Sequence, residues 1–149
     1  MKKYSLEELK NLTNLIRQDI INMLYQAKSG HPGGSLGMTD IFTVLYFYIL
    51  KHNPKNPTWI NRDRLILSNG HICPVLYSCL ARSGYFPLVK LKTLRKLNSE
   101  LQGHPHYNIK LGIENNGGPL GQGISQAVGI SLASKIDKRK SRTLLKFHF

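Results

Sequence analysis

Gly117-Gly118-Pro119-Leu120-Gly121-Gln122-Gly123 runs straight into Ile124-Ser125-Gln126-Ala127-Val128-Gly129-Ile130-Ser131-Leu132-Ala133. Four glycines in seven residues let the backbone take positive φ and come close to a ligand. Apolar residues at Ile124, Val128, Leu132 and Ile136, with Ala127 alongside, repeat with the period of one helix face. A flexible turn therefore feeds a helix N-terminus. Unpaired N–H groups there, with the positive end of the helix dipole, suit an anion such as a diphosphate. Taken alone, the same glycines also describe an ordinary turn.

Upstream, Arg64-Leu65-Ile66-Leu67-Ser68 reads as a buried strand with Asn69-Gly70-His71 at its carboxyl end. Pro74 opens a helix through Arg82 and Gly84 ends it, which gives strand, loop, helix: half of a βαβ unit. Ligands of such sheets gather beyond the carboxyl ends of the strands. Two more glycine-containing loops hold histidines, Ser29-Gly30-His31-Pro32-Gly33-Gly34-Ser35-Leu36-Gly37 and Gln102-Gly103-His104-Pro105-His106-Tyr107. His104 and His106, two apart, have no Asp, Glu or Cys close enough to complete a metal site, so metal ligation is not expected of them.

The remaining segments read as helices. Ser5-Leu6-Glu7-Glu8 has the form of a capping box, and Leu6, Leu9, Leu12, Ile16, Ile20, Leu24 and Ala27 line one stripe of a helix from Leu6 to Lys28. Gly30 is expected to supply its left-handed cap. Thr39 or Asp40 is expected to cap a second helix over Ile41–Leu50, apolar nearly all round and so buried on several sides. Leu88, Leu91, Leu94 and Leu97 suggest an amphipathic helix, and Thr143-Leu144-Leu145 starts like a strand.

With 149 residues and 41% hydrophobic content, the chain has room for one domain with its own core. The N-terminus leads into an amphipathic helix rather than a secretory signal, and the longest apolar run, Ile41–Leu50, is too short to span a bilayer. A cytoplasmic protein is expected, with no membrane partner. The formal charge of +13 raises nucleic acid, but the basic residues are scattered apart from Lys135–Arg142, with no binding motif or stacking aromatics beside them. A solvated basic face or affinity for phosphorylated substrates is the preferred reading. Cys73 and Cys79 point to different faces of a helix and read as two buried, reduced thiols.

Four stretches in this order and spacing, Ser29-Gly30-His31-Pro32-Gly33, Ser68-Asn69-Gly70-His71, Gly103-His104-Pro105 and Gly118-Pro119-Leu120-Gly121-Gln122-Gly123, resemble the thiamine-diphosphate domain of transketolases. His52-Asn53-Pro54-Lys55-Asn56-Pro57 and Asn61-Arg62-Asp63-Arg64 are similar to that family too. Gly70-His71-Ile72-Cys73-Pro74 and Leu101-Gln102-Gly103-His104-Pro105-His106 look most like the N-terminal subunit of split transketolases. The resemblance implies an α/β thiamine-diphosphate-binding fold, a doubly wound parallel sheet with helices on both faces. It implies transfer of a two-carbon ketol unit from a ketose phosphate to an aldose phosphate, a pentose phosphate pathway reaction. By the same likeness His31 and His104 bind donor hydroxyls and handle protons, work that suits an imidazole. His71 faces the diphosphate, Gly118 and Leu120 offer backbone contacts to the cofactor, and Ser68 contributes to its site. The implied partners are sugar phosphates and a C-terminal, pyrimidine-domain subunit in an oligomer.

The pattern also departs from the family. Magnesium is expected with the cofactor, held in the family by a Gly-Asp-Gly and a downstream Asn, and neither is found here: Asp occurs only at positions 19, 40, 63 and 137. The glutamate that activates the aminopyrimidine belongs to the partner domain. Asn115-Asn116-Gly117 replaces small hydroxyl residues, and Leu111 stands where proline is common. The expectation is a single domain over residues 1–149, truncated before the metal motif, with Leu145–Phe149 unlike the family's strand. Apolar helix faces left uncovered by the short sheet are expected. A non-catalytic remnant and a basic nucleic-acid binder are the alternatives.

Overall fold

Ser5 Oγ accepts a hydrogen bond from the Glu8 amide at 3.2 Å, while the Glu8 carboxylate accepts one from the Ser5 amide at 2.7 Å. This reciprocal cap satisfies two donors that a helix start leaves unpaired. α1 (Leu6–Ala27) follows in the computed structural model, which describes residues 4–146. Thr13, Ile16, Ile20 and Met23 are its buried side chains, and Leu6 lies outside the stripe at 70% exposure. The left-handed cap is Lys28, at φ 53°, rather than Gly30.

The Ser29–Gly37 stretch is not an open loop. Proline's fixed φ and missing N–H suit a first helical position, and Pro32 starts α2 (Pro32–Gly37) with His31 just outside it. α3 (Thr39–Val44) lacks the side-chain cap expected of Thr39 or Asp40. Thr39 Oγ1 instead donates to the Ser35 carbonyl at 3.0 Å, and Asp40 accepts from Arg17 of α1. A π-helical turn at Leu45–Ile49 completes the segment. Phe42, Tyr46 and Phe47 are buried while Ile41 and Tyr48 are exposed, so the segment is covered on one side rather than several.

β1 (Arg64–Leu67) is buried along its whole length, as an unbroken apolar run implies. It pairs in parallel with β2 (Thr143–Lys146), Leu65 opposite Leu144 and Ile66 opposite Leu145. Between the strands lie a 3-10 turn at Gly70–Ile72, α4 (Cys73–Ser83), 3-10 segments at Leu88–Thr93 and Ile109–Leu111, and α5 (Gln122–Ile136). α1, α3 and α4 pack together around Ile16, Ile20, Phe42, Tyr77 and Leu80. The architecture is α/β, helix-rich around a small parallel sheet.

Two predicted faces are corrected. The segment at Leu88–Thr93 is a 3-10 helix, and the chain turns away after it through a left-handed Arg95 at φ 60°. Leu91 and Leu94 enter the core; Leu97, 92% exposed, does not. On α5 the small residues Gly123, Ala127 and Ser134 are buried, whereas Ile124, Val128, Leu132 and Ile136 are 42%, 61%, 56% and 71% exposed. The cause is steric: Gly123 rests on Ser68 so closely that an added methyl would stand 2.5 Å from the Ser68 Cβ, and this contact fixes which face turns inward. The uncovered apolar surface expected of a helix beside a short sheet is therefore present on α5. Phe147–Phe149, part of the stretch expected to differ from the family's strand, lie outside the described residues.

Asp63 ties the two strands together at their start. It accepts from the Lys51 amide at 2.9 Å, from the Arg142 amide at 2.8 Å and from the Arg142 guanidinium. Burial alone would raise this carboxyl, but these bonds outweigh it and hold Asp63 below its ordinary value. A depressed carboxyl contributes its stability above the unfolded value and loses it as pH falls through the folded one. Asp63→Asn is thus expected to cost about 2 kcal/mol at pH 7. Urea unfolding of both proteins from pH 7 to pH 3 checks this, the difference between them shrinking at the acid end.

Candidate active site

Ser68-Asn69-Gly70-His71 leaves the carboxyl end of β1, where the Gly70 backbone lies on the Gly117 backbone. A methyl group built on Gly70 would stand 1.4 Å from the Gly117 carbonyl oxygen; only glycine permits this approach. The Gly117 amide donates to the Pro105 carbonyl at 2.9 Å, and Gly123 rests on Ser68. Three of the loops singled out in the sequence are thereby one junction. The fourth joins through its histidine: the His31 and His71 rings meet edge to face, 5.5 Å between centroids. These two border a narrow recess with Cys73, Arg95 and Gly103. His104 lines the adjoining recess with Arg95, Gln102, Gly103 and His106.

The bend is held from behind by Asn115. Its side chain accepts from the Leu67 amide at 3.0 Å and donates to the Leu67 carbonyl at 3.1 Å, doing for β1 what a neighbouring strand would do. It also donates to Gln126 Oε1 on α5 at 2.9 Å. Asn116 Oδ1 accepts from the Tyr107 amide at 2.7 Å, tying the bend to the His104 loop. Beside them Glu114 takes a two-pronged contact from Arg62 at 2.9 and 2.8 Å. Burial raises the Glu114 carboxyl, against the opposing pull of Arg62 and Arg64. The sequence reading registered Asn115 and Asn116 only as departures from a pattern. The signal it passed over was a pair of amides, each offering donor and acceptor, just before a backbone bend.

The His104 loop is fastened to α4 by two groups that sequence reasoning gave no such part. Cys73 Sγ donates toward the Gln102 and Gly103 carbonyls at 3.5 and 3.2 Å, and the Tyr77 hydroxyl donates to the Gln102 carbonyl at 2.8 Å. Burial pushes the Cys73 thiol up to about 12, so it is a neutral donor and not a thiolate nucleophile. Cys79 is also a free, buried thiol, as expected.

One unpaired group in the junction suits a phosphorylated ligand: Ser68 Oγ is buried with no hydrogen-bond partner among the described residues and can donate. Asn69 Oδ1, buried and unpaired beside it, is an acceptor and calls for a donor instead. Gly118 has nothing within 4 Å of where a Cβ would stand, and Leu120 is exposed beside it. Gly121, left-handed at φ 83°, then delivers the chain to the first turn of α5. An open bend with an unsatisfied hydroxyl beneath it forms a cradle whose donors match diphosphate oxygens, and the backbone of the His71 loop lies against the start of that bend. No group of three or more His, Cys, Asp or Glu side chains that could hold a metal ion occurs among the described residues.

Residues 9–142 match the family described as transketolase, thiamine diphosphate binding domain. The chain belongs to the transketolase family. It is 49% identical over 127 residues to transketolase 1 of Escherichia coli (strain K12), a match that covers 85% of this chain and 19% of that one. The solved transketolase of Campylobacter jejuni superposes with a TM-score of 0.81 at 44% identity, over 91% of this chain and 21% of the other. A Pichia stipitis transketolase solved in complex with sedoheptulose-7-phosphate superposes at 0.79 with 37% identity, over 92% and 21%. This chain thus spans about a fifth of the length of the transketolases it matches.

Gly70→Ala forces a methyl group into the Gly117 carbonyl. A loss of about 3 kcal/mol is expected, read as a lower urea midpoint. Asn115→Ala strands both Leu67 backbone groups and is expected to cost about 2–4 kcal/mol in the same assay.

Proposed function

We propose that this chain, as one domain over residues 1–149, is the thiamine-diphosphate-binding part of a transketolase. In this reading it works in an oligomer with a separate pyrimidine-domain chain. The assembled enzyme transfers a two-carbon ketol unit from a ketose phosphate to an aldose phosphate, the chemistry of the pentose phosphate pathway. The observation that carries the reading is the convergence of His31, His71 and the His104 loop on the Gly117–Gly123 bend. Sugar phosphates as substrates draw support from the sedoheptulose-7-phosphate complex of the Pichia stipitis transketolase. Two buried free thiols accord with a cytoplasmic location.

Thiamine diphosphate, when bound, supplies the carbanion chemistry that cleaves and forms the ketose carbon–carbon bond. In this reading the chain's own residues position and deliver protons. The Ser68 hydroxyl and the amides around Gly118 and Leu120 hold the cofactor through polar contacts, and His71 neutralises diphosphate charge. His31 and His104 hydrogen-bond the donor hydroxyls, and each imidazole carries a proton between sugar oxygen and solvent. The described residues do not fit the magnesium ion expected beside the diphosphate, because no carboxylate set stands at the bend.

Isothermal titration of the purified chain with thiamine diphosphate and magnesium, alone and with a pyrimidine-domain partner, tests the reading. Saturable binding is expected, weakened about tenfold in His71→Ala by loss of a charge-assisted hydrogen bond. Absence of binding under both conditions rejects it.

A further inference from the structure

We propose that Arg95 is the anion-recognition residue of this site, taking phosphoryl oxygens of the ligand held between the His31 and His104 loops. The inference rests on the functional reading above and adds a recognition element to it. Arg95 borders both recesses: a closed one with His31 and His71 that has no room for a ligand, and an open one, of about 340 Å³, with His104 and His106, which is where a ligand would reach the guanidinium.

Arg95 is an exposed residue whose guanidinium lies against the backbones of both histidine loops. A Cβ built on Gly103 would lie 2.9 Å from Arg95 Nε and 3.1 Å from Cζ, and one built on Gly30 would lie 3.5 Å from Nη1. Glycine in both loops lets their backbones close on the guanidinium. Arg95 reaches this place through a left-handed backbone, φ 60°, a conformation unfavourable for a side-chain-bearing residue. Its amide donates to the Leu101 carbonyl at 2.9 Å, which holds the turn.

The charge of Arg95 is unspent. Arg17, Arg62, Arg64, Arg82, Arg139 and Arg142 each sit in an ion pair with a carboxylate. Arg95 is the one remaining of the seven arginines of the sequence, and its guanidinium has no ion pair or hydrogen bond among the described residues. Neither recess is lined by an acidic side chain. Glu100, five residues along, is engaged by Lys90 and by Asn108. A planar fork of donors flanked by imidazoles, with no carboxylate to satisfy it, matches a phosphoryl group. That group could be the diphosphate of the cofactor or the phosphate end of the sugar.

NMR titration of the purified chain tests the assignment, following the Arg95 Nε–Hε and histidine ring resonances. The probes are inorganic phosphate, thiamine diphosphate, fructose 6-phosphate and unphosphorylated fructose. Phosphate is expected to shift the Arg95 and His104 signals, and Arg95→Gln to weaken phosphate and one phosphorylated ligand about tenfold. Arg95→Lys, which keeps the charge, is expected to recover part of that loss, and fructose to bind the variants and the parent alike. A loss confined to thiamine diphosphate assigns the cofactor; a loss confined to fructose 6-phosphate assigns the substrate. Phosphate binding that depends on Arg95 without cofactor binding supports this inference while the functional reading fails. No phosphate response at Arg95, or equal affinity of Arg95→Gln and the parent for all phosphorylated probes, overturns it.

Discussion

The backbones of Gly70 and Gly117 meet with no room for a methyl group between them. Everything around the candidate site is arranged by that contact. It sets the loop leaving β1 against the bend before α5, and the Gly117 amide then joins the bend to Pro105 and the His104 loop. A side chain at either glycine would push these segments apart, and the adjoining recesses that hold His31 with His71 and His104 would no longer meet. The junction lies beyond the carboxyl end of β1, the usual place for ligands in α/β proteins, because the strands' loops diverge there and leave a crevice.

A backbone contact of this kind transmits position only if the segments behind it are stiff. The polar groups supply the stiffness. Asn115 completes the hydrogen bonding of Leu67, Arg62 grips Glu114, and Asp63 joins the entry of β1 to the residue before β2. Buried ion pairs of this sort are weak sources of net stability; a role in fixing geometry agrees better with their position around the strand than a large energetic one. They also account for much of the arginine content. The net charge of +13 is the excess left once every acid is matched, so it describes the solvated face and not these pairs.

α5 combines two requirements that pull its faces in opposite directions. Its first turn must come close to Ser68, so small residues face the sheet. The larger apolar residues are left on the outside, where Ile124, Val128, Leu132 and Ile136 form a stripe. Periodicity finds such a stripe but cannot say what it faces. The same limit explains Leu97 and Leu6: each has the right spacing, and the backbone leaves the face before or beyond them.

From the sequence alone came the α/β class, β1 and the loop beyond it, the capping box, and the family, since each rests on local chemistry or on the spacing of particular residue types within this one chain. The histidines at 31, 71 and 104 and the glycine bend were legible for the same reason. Tertiary structure decided what local patterns leave open: that Pro32 turns a glycine loop into α2, that the apolar side of α5 faces outward, and that Asn115 stands in for a strand. It also decided that the Arg95 guanidinium has no ion pair among the described residues while every other arginine has one. Which backbones touch, and which charges find partners, depends on residues far apart in the chain, and no window of sequence contains both sides of such a contact.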